Sequence, residues 1–104
     1  MTIEDRVEIA ELLAEYGGLL TDKQRETLAL YCDMDLSLAE VADEVGTTRQ
    51  AVRDLLVRTV AVLEEYERKL GNVRLKNALL ATLRACTDAD WQKGCTQAIA
   101  LLEE

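Results

Sequence analysis

Thr48, Arg49, Gln50, Arg53, Asp54 and Arg58 stand close together in the run TTRQAVRDLLVR, and their side chains match what a base pair and its phosphates display. An arginine can bond both acceptors on a guanine edge, a glutamine can pair with adenine, and a threonine hydroxyl can reach bases or phosphates. Asp54 has two roles open to it: accepting from a cytosine amine, or repelling the sugar-phosphate backbone. The same residues also fit a plainer role, the solvated face of a helical hairpin.

Base-edge chemistry requires a helix delivered into a groove, and Leu36 to Arg58 have the order of parts for that. Ser37 can cap a first short helix, with Glu40 three residues on returning the bond, and Val41, Ala42 and Val45 supply its buried side. Gly46 ends that helix, because without a Cβ it takes the positive φ of a sharp turn. Thr47 or Thr48 then caps a second helix whose inward positions are Val52, Leu55 and Leu56. Small Ala42 sits where the two helices must cross closely. This is the pattern of a helix-turn-helix, in which the first turns of the second helix enter the major groove.

The flanks read as helices that hold this unit. Helices are predicted near 2–16, 21–33, 37–45, 48–70, 72–86 and 88–103, with no strand. In the first, Thr2 and Asp5 form the cap and the inward stripe is Ile3, Val7, Ala10 and Ala14, widened by Ile9, Leu12, Leu13 and Tyr16. Gly17 and Gly18 stop it, Thr21 and Gln24 repeat the capping-box pattern, and Leu28, Leu30 and Tyr31 bury the second helix. Lys23 and Arg25 read as a solvated first turn. The helix from Thr48 to Leu70 outruns groove reading; Val52, Leu56, Thr59, Leu63, Tyr66 and Leu70 alternate steps of four and three, as in a helix seam. Val57, Val60, Ala61 and Val62 make its other faces apolar, which suits either a buried central helix or a dimer contact. Asn72 is expected to cap a helix carrying Val73, Leu75, Leu79, Leu80 and Leu83. Thr87 and Asp90 are expected to cap the last, with Trp91, Cys95, Ile99 and Leu102 on one face.

At 104 residues the chain is expected to be a single helical domain, with the helix-turn-helix core at 20–70 and C-terminal helices at 72–104. Abundant Leu and Ala, no Phe and no Pro are helical vocabulary, so the fold class is all-α. No apolar run approaches the ~18 residues a bilayer requires, and the acidic N-terminus is unlike a signal peptide, which points to the cytoplasm. Cys32, Cys86 and Cys95 lack paired spacing and there is no His, so reduced thiols are expected, with neither disulfide, metal nor cofactor. Without an imidazole base or a glycine-rich phosphate loop, an enzyme is not expected. The net charge of −8 opposes DNA binding, which draws on neutralised phosphates. Its distribution softens this: residues 1–35 carry nine acids and three bases, whereas 46–58 hold Arg49, Arg53 and Arg58 against Asp54 alone. Weak or selective binding follows.

The run LLTDKQRETLALYCDMDLSLAEVADEVGTTRQAVRDLL, continuing through LEEYERKL, resembles the YlxM family of small bacterial proteins, whose fold is similar to region 4 of sigma factors. The resemblance rests on Leu20-Thr21 with Gln24-Arg25, Leu30-Tyr31, Ser37-Leu38 with Ala42, Arg49-Gln50-Ala51-Val52, and Glu64 to Leu70. It implies a DNA-binding protein, and it also implies a link to the signal recognition particle pathway. Thr47 stands where the family pattern usually has a hydrophobic residue, and Arg53 where an aromatic is common. The expected function is a DNA-binding regulator using Thr48, Arg49, Gln50, Arg53, Asp54 and Arg58, acting as a homodimer away from membranes. The alternative is a non-enzymatic accessory of the signal recognition particle pathway acting through protein or RNA.

Overall fold

A computed structural model describes residues 2–85 and 91–103, and among these there are six α-helices and no strand. They are α1 (Arg6–Tyr16), α2 (Asp22–Cys32), α3 (Leu38–Val45), α4 (Arg49–Leu70), α5 (Asn72–Arg84) and α6 (Trp91–Glu103). The chain divides into two compact units, residues 1–70 and 71–104. No helix among the described residues is long and apolar enough to cross a membrane.

Two capping boxes set the starts of α2 and α3. Thr21 Oγ1 accepts the Gln24 backbone N–H at 3.2 Å while Gln24 Oε1 accepts that of Thr21 at 3.1 Å. Ser37 and Glu40 repeat the exchange at 3.1 and 3.2 Å. Each box satisfies two N–H groups that a helix start otherwise leaves orphaned. Both were legible as S/T-x-x-E/Q in the sequence.

In the first unit α4 is the central pillar, with α1, α2 and α3 packed on it. Its buried side is Val52, Leu56, Thr59, Val60 and Leu63, which meets Ile9, Leu12, Leu13 and Tyr16 of α1, Leu28 and Tyr31 of α2, and Val41 and Ala42 of α3 in one core. Ile9, Leu28, Leu56 and Leu63 are fully buried, and each contributes roughly 1.5–3 kcal/mol. Tyr16 carries its hydroxyl into that core and donates it to Glu67 Oε1 at 2.6 Å, with its ring tilted against Tyr66 at 6.0 Å. Thr59 is buried too, its hydroxyl donating to the Leu55 carbonyl oxygen at 2.7 Å.

The structure corrects several sequence expectations. The helix α1 begins at Arg6, because Thr2 to Asp5 form a turn in which the Thr2 N–H donates to Asp5 Oδ2 at 3.0 Å and the Asp5 N–H to the Thr2 carbonyl at 3.1 Å. Its stripe is Ile9, Leu12, Leu13 and Tyr16; Val7 is 76% exposed and Ala14 faces solvent. Val45, expected inside, is 39% exposed at the end of α3, and Leu70 is exposed at the end of α4. Gly71, with φ 65°, caps α5 in place of Asn72, which is the first helical residue. The left-handed turn there is reached only at the glycine.

In the second unit α5 packs on α6. No residue of α5 is buried, and Leu80, Leu83 and Ile99 are exposed, against the expectation that they bury these helices. Cys32 and Cys95 are half-buried free thiols. The expected cap of Thr87 and Asp90, and Cys86, lie outside the described residues, as do the side chains of Trp91 and Leu102.

Candidate nucleic-acid interface

The turn between α3 and α4 is built on one carbonyl. Ala42 O accepts from the N–H groups of both Gly46 (2.9 Å) and Thr47 (3.0 Å), which closes α3 and reverses the chain. Gly46 makes this possible with φ 76°. Thr48 supplies the cap of α4, its Oγ1 accepting the Ala51 N–H at 3.1 Å. Thr47 is exposed, so its hydroxyl is not buried at the turn.

All six sequence-predicted site residues, Thr48, Arg49, Gln50, Arg53, Asp54 and Arg58, are exposed at this end of α4. Beyond the capping Thr48, the other five divide into two rows at steps of four, the spacing that stacks side chains one above another on a helix. Gln50, Asp54 and Arg58 form one row and are bonded within it: Gln50 Nε2 donates to Asp54 Oδ1 at 2.9 Å, and Arg58 Nε donates to the Asp54 carbonyl oxygen at 3.3 Å. Arg49 and Arg53 form the other, continued by half-exposed Val57. Neither Arg49 nor Arg53 makes an ion pair among the described residues.

The Arg49–Arg53 row borders an open groove of about 550 Å³ lined also by Arg6, Tyr31, Ser37, Leu38, Ala39 and Gln50. Arg6 comes from α1 and is held in place. It pairs with Asp35, donates to the Leu36 carbonyl oxygen at 3.2 Å and lies over the Tyr31 ring at 4.1 Å from the centroid. Hydrogen bonding to Tyr31, and the carboxylate of Asp35, raise its pKa further above an already high value. Asp35 itself takes a left-handed φ of 56°, a conformation that Asp tolerates better than most residues. Sequence reading missed Arg6 and Tyr31. A usable signal was present, since Arg6 is the only basic residue before Lys23 in an otherwise acidic stretch.

Arg53 also meets the N-terminal turn. Ile3 is 5% exposed, and Thr2, Ile3 and Glu4 line a cleft with Arg53, Val57, Val60, Ala61 and Glu64. The Glu4 carboxyl is lowered from its ordinary pKa by a hydrogen bond from Thr2, by its own backbone N–H and by the positive charge of Arg53. An acid therefore stands near Arg53.

A capped short helix, a left-handed glycine turn and a second helix whose first turns are exposed and basic define a helix-turn-helix protein. The chain belongs to the UPF0122 family, described as "Putative helix-turn-helix protein, YlxM / p13 like", which matches residues 3–98. The UPF0122 protein of Clostridium botulinum is 54% identical over 69 residues, covering 66% of this chain and 63% of that protein. That of Lacticaseibacillus casei is 48% identical over 86 residues, 80% of this chain and 76% of the relative. That of Clostridium perfringens is 40% identical over 95 residues, 85% of each. The chain spans less than two thirds of the length of the Clostridium botulinum and Clostridium kluyveri relatives, 63% and 62%.

Proposed function

We propose that this chain is a non-enzymatic regulatory protein that reads duplex DNA, laying the first turns of α4 in the major groove as its resemblance to sigma-factor region 4 suggests. The observation that carries this reading is the charge inversion at one helix end: Arg49 and Arg53 are exposed and make no ion pair among the described residues, in a chain of net charge −8. Arg49 and Gln50 meet base edges, while Arg53 and Arg58 meet phosphates. Thr48 contributes less than its position suggests, because its oxygen is engaged in capping. The surrounding acid keeps affinity low and favours selective over general binding. The protein works as a homodimer. The test is selection from a randomised duplex pool at low salt: enrichment of one motif by the native chain, lost with Arg49→Ala, supports the reading, and an unenriched pool opposes it.

A second reading is favoured by the acidic total and by Glu4 beside Arg53, which suit a protein partner better than a polyanion. Here the chain is an accessory of the signal recognition particle pathway, and the same face contacts a particle component. Retention of a purified particle protein, with no enrichment from the duplex pool, is the result that favours it.

A further inference from the structure

We infer that the groove between α1, α3 and α4 is a phosphate-binding site, in which Arg6 and Arg53 grip one phosphate group together with the backbone N–H groups of Leu38 and Ala39. For duplex DNA this rests on the reading above, but the site itself is defined by its own geometry. Arg6, Arg49 and Arg53 line a single groove of about 550 Å³, and no carboxylate is among the residues lining it. Asp35 pairs with Arg6 alone, and Arg49 and Arg53 border the same groove without an ion pair among the described residues, so an anion placed there is favoured by more than one guanidinium. Arg53 has no ion pair among the described residues, and Arg6 spends only part of its five-donor fork on Asp35 and the Leu36 carbonyl. Being pinned at one edge, Arg6 loses little freedom when the other edge takes a ligand oxygen, and a planar fork suits a phosphate better than an ammonium does. The same groove holds the start of α3. There the Ser37–Glu40 box satisfies the N–H groups of Ser37 and Glu40 and leaves those of Leu38 and Ala39 as the free donors of the first turn. Guanidinium and amide donors thus surround one space from three helices. The ligand is a phosphate group, whether of a DNA backbone or of a free di- or triphosphate.

The contact adds to the recognition helix a positioning point from α1, fixing how far α4 can roll in a groove. Its test uses the full chain, 15N-labelled, titrated separately with pyrophosphate and with a short duplex, following the Leu38 and Ala39 amide resonances. The salt dependence of duplex binding is measured in parallel for Arg6→Gln, Arg53→Gln and the double variant. The expected result is a saturable shift of both amides with at least one probe, lost in Arg53→Gln, which breaks no internal ion pair. Because both arginines hold one phosphate, the double variant should lose about one unit of log–log salt slope in total, where separate phosphates would cost about two. Shifts with pyrophosphate support the site, and they oppose the DNA reading where the duplex does not bind at all. Duplex binding with both amides unmoved by either probe overturns the site and leaves the DNA reading standing. Silence with both probes overturns the site outright.

Discussion

Asp54 has a role that its charge alone does not suggest: it anchors Gln50, whose remaining amide oxygen and second N–H stay free for an adenine edge. Asp54→Ala should therefore relax sequence preference much as Gln50→Ala does, at roughly 1–3 kcal/mol of discrimination for a lost bidentate pair. Asp54→Asn keeps a hydrogen-bonding oxygen and should retain the preference while tightening every duplex; quantitative binding to matched and mismatched sites separates these outcomes. Glu4→Gln should likewise strengthen binding to all duplexes without altering preference, because it removes an acid that competes with phosphate for Arg53. The Cys32 thiol is pushed up to about 11, first by burial and then by the Asp33 carboxylate. A raised folded pKa means that the thiol form is favoured in the fold. Stability is thus unaffected below the ordinary thiol value near 9 and falls as pH rises from there through 11. Urea melts across that range should show a shallower decline for Cys32→Ala, and identical declines would remove the claim. At this scale the arginines of α4 were legible because they cluster in a short run. Arg6 stood out only as a lone base in an acidic stretch, and its place, like that of Glu4, was not legible because only folding brings the N-terminus beside α4.

Turns and caps dominate the helix-turn-helix as an element. Gly46 has open space where a Cβ would be built, so Gly46→Ala meets no clash and is strained only by its φ of 76°. The expected loss is about 1–2 kcal/mol in chemical denaturation, with Gly46→Asn milder because Asn tolerates the left-handed region. Tyr16→Phe should cost about 1–2 kcal/mol, since it removes a part-buried donor to the Glu67 carboxylate and joins α1 less firmly to α4. An unchanged urea midpoint in either variant contradicts its assignment. The elements were readable wherever a local motif specified them: both capping boxes and the Gly46 turn follow from residues within a few positions of one another, while the cap of α4, open between Thr47 and Thr48 in the sequence, falls to Thr48. The inward face of α1 was not, because apolar residues lie nearly all round it and two stripes compete. Ile9, Leu12, Leu13 and Tyr16 win over Val7, Ala10 and Ala14 since larger side chains bury more apolar surface against α2 and α4. The exposure of Val45 has a similar origin: α3 is 8 residues long, and its last turn runs past the helices that cover Val41 and Ala42.

For the whole molecule, charge and assembly are the quantities at issue. The apolar faces of α4 that sequence reading offered for a dimer largely close the core of one chain, which leaves Val57 and Leu70 exposed on α4, Val7 on α1, and Leu80, Leu83 and Ile99 in the second unit. The proposed homodimer should accordingly be weakened more by Leu80→Glu than by Val57→Glu in light scattering at tens of micromolar, and a native chain that is monomeric there removes the dimer. Net charge acts over the same scale: at −8 the chain as a whole opposes a polyanion, so the proposed DNA affinity should depend on a few arginines and fall steeply with salt. The most direct measurement is fluorescence anisotropy of a labelled duplex at low salt, comparing the native chain with the Arg49→Ala/Arg53→Ala double variant. The account predicts saturable binding by the native chain, lost or severely weakened in the double variant while its helical signal is unchanged. Binding that is undetectable, or equal in the two proteins, contradicts a DNA-reading role for this face.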